Sequence, residues 1–244
     1  MDTAPQTAPP DLSALAAVIT GGSRGIGRAI AGALASHGAH VAITGRSDDD
    51  LRAASGGTIH PVRADVSRPD QAAAAIDSAA QKFGGLDLLV NNAGVGWFAS
   101  TADMTVDSWQ EIIGTNLSGV FYCSRAAIPH LRRRGGGWII NISSLAGRNP
   151  FVGGAAYCAS KAGLDAFSEA LMQEVRDDNI RVSCIAPGSV ATGFGGRADV
   201  PAAAQNWKIS PADIASLVLD LVTFPQRSLP SRIEVRPSRP QKSR

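Results

Sequence analysis

Short apolar runs alternate with longer amphipathic stretches along most of this chain. The runs are Leu15–Thr20, His40–Thr44, Thr58–Val62, Leu86–Val90, Trp138–Ile142, Ile180–Ile185 and Arg232–Val235. They are brief, rich in Val and Ile and bounded by Gly, Pro or Asn, which predicts buried strands. Between them, Arg24–Ser36, Pro69–Lys82, Val106–Arg133, Ala155–Arg176 and Pro211–Val222 carry helical periodicity and caps. Asp48-Asp49-Asp50 read as the cap and first turn of a further helix, where carboxylates favour the dipole. Strand and helix alternate without a linker or a repeat of fixed period. That pattern predicts an α/β fold with a parallel sheet, in one domain. Residues 1–13, rich in Pro, Ala and Thr, predict a disordered tail. Residues 14–236 predict the folded domain, and residues 237–244 a basic, solvated tail.

Composition narrows the function. A chain of 244 residues buries a sizeable core and needs neither disulfides nor metal to fold. With 44% hydrophobic and 18% charged residues it reads as globular. A net charge of +2 offers no basic stripe, so nucleic acid is not an expected partner. Cys123, Cys158 and Cys184 are scattered, with no CxxC pair or Cys/His cluster, which argues against a disulfide framework and a zinc site and fits a reducing cytosol. The N-terminus lacks a basic segment followed by an apolar core, and no apolar run approaches ~18 residues. A cytoplasmic protein without a membrane span is expected. The histidines, His37, His40, His60 and His130, show no partner pattern and read as structural or surface residues.

Glycine is the informative excess, with 26 residues. The first apolar run leads into Thr20-Gly21-Gly22-Ser23-Arg24-Gly25-Ile26-Gly27, and a predicted helix follows. Glycines let the backbone approach a pyrophosphate, and the helix N-terminus offers free N–H groups and a positive dipole end. The bare pattern also serves as a tight turn; its place after the first strand favours a phosphate cradle. Further along, Tyr157-Cys158-Ala159-Ser160-Lys161 sets a phenol and an ammonium one helical turn apart on one face. The spacing alone is common. A nearby cation would lower the phenol from its usual pKa near ~10, suiting it to acid/base work near neutral pH. Upstream, Ser144 ends the fifth run, where a hydroxyl can stabilise charge on a substrate oxygen. Ser143 is the alternative, and the spacing to Tyr157 favours Ser144. Asn116 lies in the long predicted helix, where an amide also has backbone partners.

The glycine turn has the form T-G-x-x-x-G-x-G. With the motifs that follow it in order, the sequence resembles the short-chain dehydrogenase/reductases over roughly residues 14 to 222. The resemblance implies a single-domain Rossmann fold: a doubly wound seven-stranded parallel sheet with helices on both faces. It implies a cofactor pyrophosphate on Gly21, Ser23, Arg24, Ile26 and Gly27, and an adenine at Asp65-Val66. Asn91-Asn92-Ala93-Gly94 matches the family's N-N-A-G, with Asn92, Ala93 and Gly94 against the adenine ribose. Pro187-Gly188-Ser189-Val190-Ala191-Thr192 resembles P-G-x-V-x-T, so Pro187, Gly188, Val190 and Thr192 would hold the nicotinamide. The family's catalytic set corresponds to Asn116, Ser144, Tyr157 and Lys161. In it Tyr157 is the acid/base and Ser144 orients the carbonyl. Lys161 lowers the Tyr157 pKa and binds the nicotinamide ribose, and Asn116 holds a water that links Lys161 to solvent.

An NAD site needs an acid at the end of the second strand. This chain has Gly45 there, leaving room for a 2′-phosphate, and then Arg46, with Arg24 as a second cation. As an alternative, Arg46 is a solvated loop charge. NADP(H) is the expected cofactor. The expected reaction interconverts a ketone and a secondary alcohol, closest by resemblance to 3-oxoacyl-[acyl-carrier-protein] reductases. Short 3-hydroxy acids or other small alcohols are the alternative substrates. A non-catalytic dinucleotide sensor is disfavoured because both Tyr157 and Lys161 are present. Residues 193–210 are shorter than many family lids, and their glycines suggest a mobile flap. Trp97, Phe98, Phe151 and Phe194 are candidate pocket liners or ordinary packing. The ending after Ile233 lacks the family's D-G-G, and Gln173 stands where carrier-dependent reductases often have Arg. Arg132-Arg133-Arg134 would meet an acidic carrier or cap a helix end. Small residues on more than one face of Ala155–Arg176 suggest close packing on both sides, and the resemblance implies that one of these sides meets a partner subunit in a homodimer or homotetramer.

Overall fold

The structure, a computed structural model, describes residues 10–196 and 206–240. The strands are β1 (Ala16–Ile19), β2 (His40–Gly45), β3 (Ile59–Arg63), β4 (Leu88–Asn91), β5 (Gly137–Ile142), β6 (Ile180–Pro187) and β7 (Arg232–Val235). The helices are α1 (Gly25–Ser36), α2 (Asp48–Ala54), α3 (Pro69–Phe83), α4 (Val106–Ile113), α5 (Gly119–Arg133), α6 (Ala155–Val175) and α7 (Pro211–Val222). All seven strands are parallel, in the order β3-β2-β1-β4-β5-β6-β7. The order reverses between β1 and β4, which opens a crevice at the carboxyl ends of the strands.

The strands read as nearly continuous apolar runs because both sheet faces are covered. Ile19, Val41, Ile43, Leu88 and Val90 point to one face, where they meet Ile30 and Leu34 of α1 and Ile214 and Val218 of α7. Val18, Ala42, Leu89 and Ile139 point to the other, where they meet Ile76 of α3, Leu131 of α5 and Leu171 of α6. Alternate residues thus feed two cores, the doubly wound arrangement expected. Local caps support it: Ser47 accepts from Asp50 N at 3.2 Å to start α2, whose first turn carries the three aspartates.

Three boundaries differ from expectation. The single helix expected over Val106–Arg133 is interrupted by a π-helical turn at Gly114–Ser118, separating α4 from α5. Gly119 there lies so close to β3's exit loop that a Cβ would come 3.0 Å from Val66. The fourth strand begins at Leu88, later than the expected Leu86, and the Asp87 carboxylate before it is engaged by Arg134 at 2.8 and 3.0 Å and by Ala16 N at 2.9 Å. Ordered structure also starts before residue 14: Leu12 is buried, and its N–H bonds His37 O at 2.8 Å. The expected tail at residues 1–9, the centre of the flap at residues 197–205 and the last tail residues, 241–244, lie outside the described residues.

Candidate active site

The glycine turn is bolted to the end of β4. Thr20 Oγ1 accepts from Asn92 N and Ala93 N, both at 3.0 Å. Asn92 Nδ2 donates to Thr20 O at 2.9 Å and to Gly21 O at 3.0 Å. Gly21 has φ +62°, and a Cβ on it would come 2.9 Å from the Ala93 backbone. A Cβ on Gly27 would come 2.4 Å from Asn92 Nδ2 and from Gly21 O. The Asn92 side chain is therefore committed to shaping the cradle from below. The N-terminus of α1 is open: Arg24 at the N-cap makes no side-chain capping bond, and the first turn holds no acid. Unpaired N–H groups and a positive dipole end above a glycine cradle suit an anionic pyrophosphate.

The remaining cofactor candidates follow the carboxyl ends of β3, β4 and β6. Gly94 lies beside Asn116 and Lys161; a Cβ on it would be 3.4 Å from Asn116 Oδ1. The Asp65 carboxylate accepts from Ser67 N at 3.0 Å and Ser67 Oγ at 2.7 Å, which sets the turn carrying the buried Val66. Pro187 ends β6, and Gly188 N bonds Val235 O at 2.8 Å. Val190 bridges to Ile209, and Thr192 reaches back over α1, where a Cβ on Gly25 would meet its methyl at 3.3 Å. Two details at the end of β2 depart from expectation. The space that Gly45 leaves is lined from inside by Leu51 and by Ser23 Oγ, each 3.3 Å from a would-be Cβ. Arg46 is exposed but not alone: its Nη1 donates to Glu111 Oε1 of α4 at 3.2 Å.

On the other side of the crevice, α6 carries Tyr157 and Lys161. Lys161 is buried and donates from Nζ to Ile142 O at 2.8 Å. Burial pulls its pKa down to about 8, against the opposing influence of Cys184 and Asp165. Ser144 accepts from Ala146 N at 3.1 Å, and its hydroxyl lies close enough to the Tyr157 phenol to favour the phenolate. Ser143 is turned away and donates to Asp165 Oδ1 at 2.6 Å, so of the two serines only Ser144 meets Tyr157. The net shift of the Tyr157 pKa is upward. Burial raises that pKa, and the Ser144 hydroxyl opposes the rise. Nζ of Lys161 sits 5.9 Å from the Tyr157 ring centroid, with a carbonyl as its partner, so desolvation of the phenolate prevails.

Asn116 sits in the π-helical turn. It accepts from Val95 N at 2.8 Å and donates to Val95 O at 2.9 Å and to Ser160 Oγ at 3.1 Å. These bonds tie the β4 exit loop to α6 one residue before Lys161. A local irregularity of this kind re-aims a side chain that a regular helix would leave facing elsewhere. Phe98 and Phe194 pack on the Tyr157 ring with centroids 5.8 and 5.6 Å away, and Phe151 packs on Phe98 at 5.7 Å. All three are partly exposed and form an aromatic wall beside the phenol. Trp97 instead donates from Nε1 to Glu111 Oε2 at 2.8 Å.

Two participants had escaped the sequence reading. Asp165 accepts from Ser143, from Cys184 Sγ at 3.4 Å and from Arg232 of β7 at 2.8 Å. Its place one turn after Lys161 was a usable signal. Glu111 offered none, because its partners come from distant loops. The basic run is largely engaged: Arg132 pairs with Asp178 at 2.7 Å and Arg134 with Asp87. His130 pairs with Asp77 at 2.6 Å, a structural contact of the kind expected for the histidines. Among the described residues, no group of His, Cys, Asp or Glu is placed to hold a metal ion, and no helix is long and apolar enough to cross a membrane.

A family model for short chain dehydrogenases matches residues 15–200. The chain belongs to the short-chain dehydrogenase family. It is 40% identical over 185 residues to the 3-oxoacyl-[acyl-carrier-protein] reductase FabG of Chlamydia muridarum, covering 72% of this chain and 74% of that one. It is 39% identical over 186 residues to the D-beta-hydroxybutyrate dehydrogenase of Rhizobium meliloti, covering 72% and 71%. A metagenomic short-chain oxidoreductase solved in complex with NADP superposes with a TM-score of 0.83 at 40% identity, over 94% of this dehydrogenase and all of that chain. The fold of this short-chain dehydrogenase, a doubly wound seven-stranded parallel sheet, is the one its motifs implied.

Proposed function

We propose that this short-chain dehydrogenase is an NADPH-dependent oxidoreductase that interconverts a ketone and a secondary alcohol. The observation that carries this reading is the Tyr157 phenol on α6, set beside Ser144 and with the Lys161 ammonium 5.9 Å from its ring centroid. Gly21, Ser23, Arg24, Ile26 and Gly27 would hold the pyrophosphate. Asp65, Val66, Asn92, Ala93 and Gly94 would flank the adenosine half, and Pro187, Gly188, Val190 and Thr192 the nicotinamide. Arg46 and Arg24 favour the 2′-phosphate of NADP(H). The bound dinucleotide supplies or accepts the hydride.

The protein's own groups handle the proton and the developing charge. Ser144 donates to the substrate oxygen and keeps it at the phenol. Tyr157, held protonated by burial, gives its proton as the oxygen becomes an alkoxide, and takes one in the reverse direction. Lys161, with a pKa near 8, is charged at neutral pH and favours the transient phenolate. Asn116 is a positioning residue that locks the β4 exit loop to α6 beside Lys161.

A 3-oxoacyl thioester is the first candidate substrate, supported by the resemblance to 3-oxoacyl reductases. The wall of Phe98, Phe151 and Phe194 also favours a substrate with an apolar arm over a bare short 3-hydroxy acid, the second candidate. Docking of an acidic carrier on Arg132-Arg133-Arg134 has less support, since Arg132 and Arg134 already pair with acids. The protein would act in the cytoplasm as a homodimer or homotetramer packed through α6, and the half-exposed Phe121 beside Phe167 of that helix accords with such packing. The test of the chemistry is NADPH consumption with a panel of ketones and 3-oxoacyl thioesters, in wild type and Tyr157→Phe. The variant is expected to lose about 10²–10⁴-fold in kcat while binding NADPH as tightly as wild type. Equal turnover by both proteins, or none by the wild type across the panel, overturns the assignment.

A further inference from the structure

The end of β2 carries a cation and no acid, yet an acid stands against that cation in the fold. Glu111 accepts from Arg46 at 3.2 Å through one carboxylate oxygen and from Trp97 at 2.8 Å through the other. β2 and β4 lie on either side of β1 in the sheet. Arg46 follows β2, whereas α4 and Trp97 follow β4. The ion pair therefore spans the crevice at the reversal of strand order, where a dinucleotide lies in folds of this type. The Trp97 bond holds the carboxylate in place, while the Arg46 side chain is 57% exposed and free to re-aim.

From this placement we infer that Glu111 is a second cofactor-discriminating residue, acting against Arg46. The inference rests on the NADPH reading above and deepens it. A 2′-phosphate seated on Arg46 must compete with the Glu111 carboxylate for the guanidinium, and it is repelled by that carboxylate across the same gap. A 2′-hydroxyl meets the opposite situation, because a fixed carboxylate accepts its hydrogen bond. This is the task an acid at the end of the second strand performs in NAD sites. Glu111, from a different element, supplies the acid that the β2 turn lacks. The two residues together give a graded preference for NADPH, with NADH still accepted, in place of strict selection.

The test is a titration of the full-length protein with NADPH and with NADH, read by cofactor fluorescence, for wild type, Glu111→Gln, Glu111→Ala and Arg46→Ala. Glutamine removes the charge and keeps an oxygen for Trp97 Nε1. Because the pair is partly exposed, the expected effect is modest. Glu111→Gln tightens NADPH by roughly two- to fivefold and leaves NADH equal or weaker, and Glu111→Ala moves NADPH the same way. Weaker or unchanged NADPH binding in both Glu111 variants, with Arg46→Ala losing NADPH selectively, overturns the role of Glu111 alone. If Arg46→Ala weakens both cofactors equally, or wild type binds NADH more tightly, the NADPH reading itself falls and takes this inference with it.

Discussion

Lys161 is where burial and charge oppose each other most strongly. Its ammonium donates to the Ile142 carbonyl, and its pKa sits near 8 in place of the usual 10.5. An unfolded chain therefore binds more protons than the folded one between those values. Unfolding free energy rises with pH across that window, and below about 8 the cost of burying the charge is fully present. Lys161→Met removes that cost. The variant is expected to gain most on wild type near pH 7, with the difference shrinking as pH rises through about 8 toward 10, as measured by urea denaturation at several pH values. A difference independent of pH would show that the charge carries no such cost. At this scale the sequence displayed Tyr157, Lys161, Ser144 and Asn116 by spacing and order. It could not display the direction of the Tyr157 shift, because burial and the position of Nζ are products of packing.

The turn between β1 and α1 shows how one element reads its glycines differently. Gly27 faces Asn92 and the Gly21 carbonyl, whereas Gly32, five residues on in the same helix, has nothing within 4 Å of a would-be Cβ. Gly27→Ala is expected to cost about 1–3 kcal/mol by overpacking and to weaken NADPH binding. Gly32→Ala is expected to stabilise by about 0.5–1 kcal/mol and leave binding unchanged. Denaturation midpoints and cofactor titration on the two variants check both signs. The π-helical turn at Gly114–Ser118 belongs to the same scale. Helical periodicity ran straight through it, because one inserted residue barely alters the apolar pattern while it re-aims Asn116 toward Val95 and Ser160.

Across the whole molecule, Asp165 joins the catalytic helix to the last strand. Its side chain is 9% exposed and pairs with Arg232, which is 23% exposed, while also holding Ser143 and Cys184. Removing one partner leaves the other charge stranded. Arg232→Met is expected to destabilise by about 2–4 kcal/mol, and the double variant Asp165→Asn, Arg232→Met to recover part of that loss. Calorimetry or chemical denaturation of the three proteins forms the cycle, and strict additivity would deny the coupling. The alternation of apolar runs and helical stretches sufficed to determine the parallel α/β class, since a strand buried on both faces has no polar side to display. Motif order likewise placed Gly21, Arg46, Asp65, Asn92, Ser144 and Gly188 just after strand ends. Only the tertiary structure decided the pairs that cross elements: Glu111 with Arg46 and Trp97, and Asp165 with Arg232. Those partners lie far apart in the chain, and a charge on a helix or loop reads as solvated until folding brings its counterpart alongside.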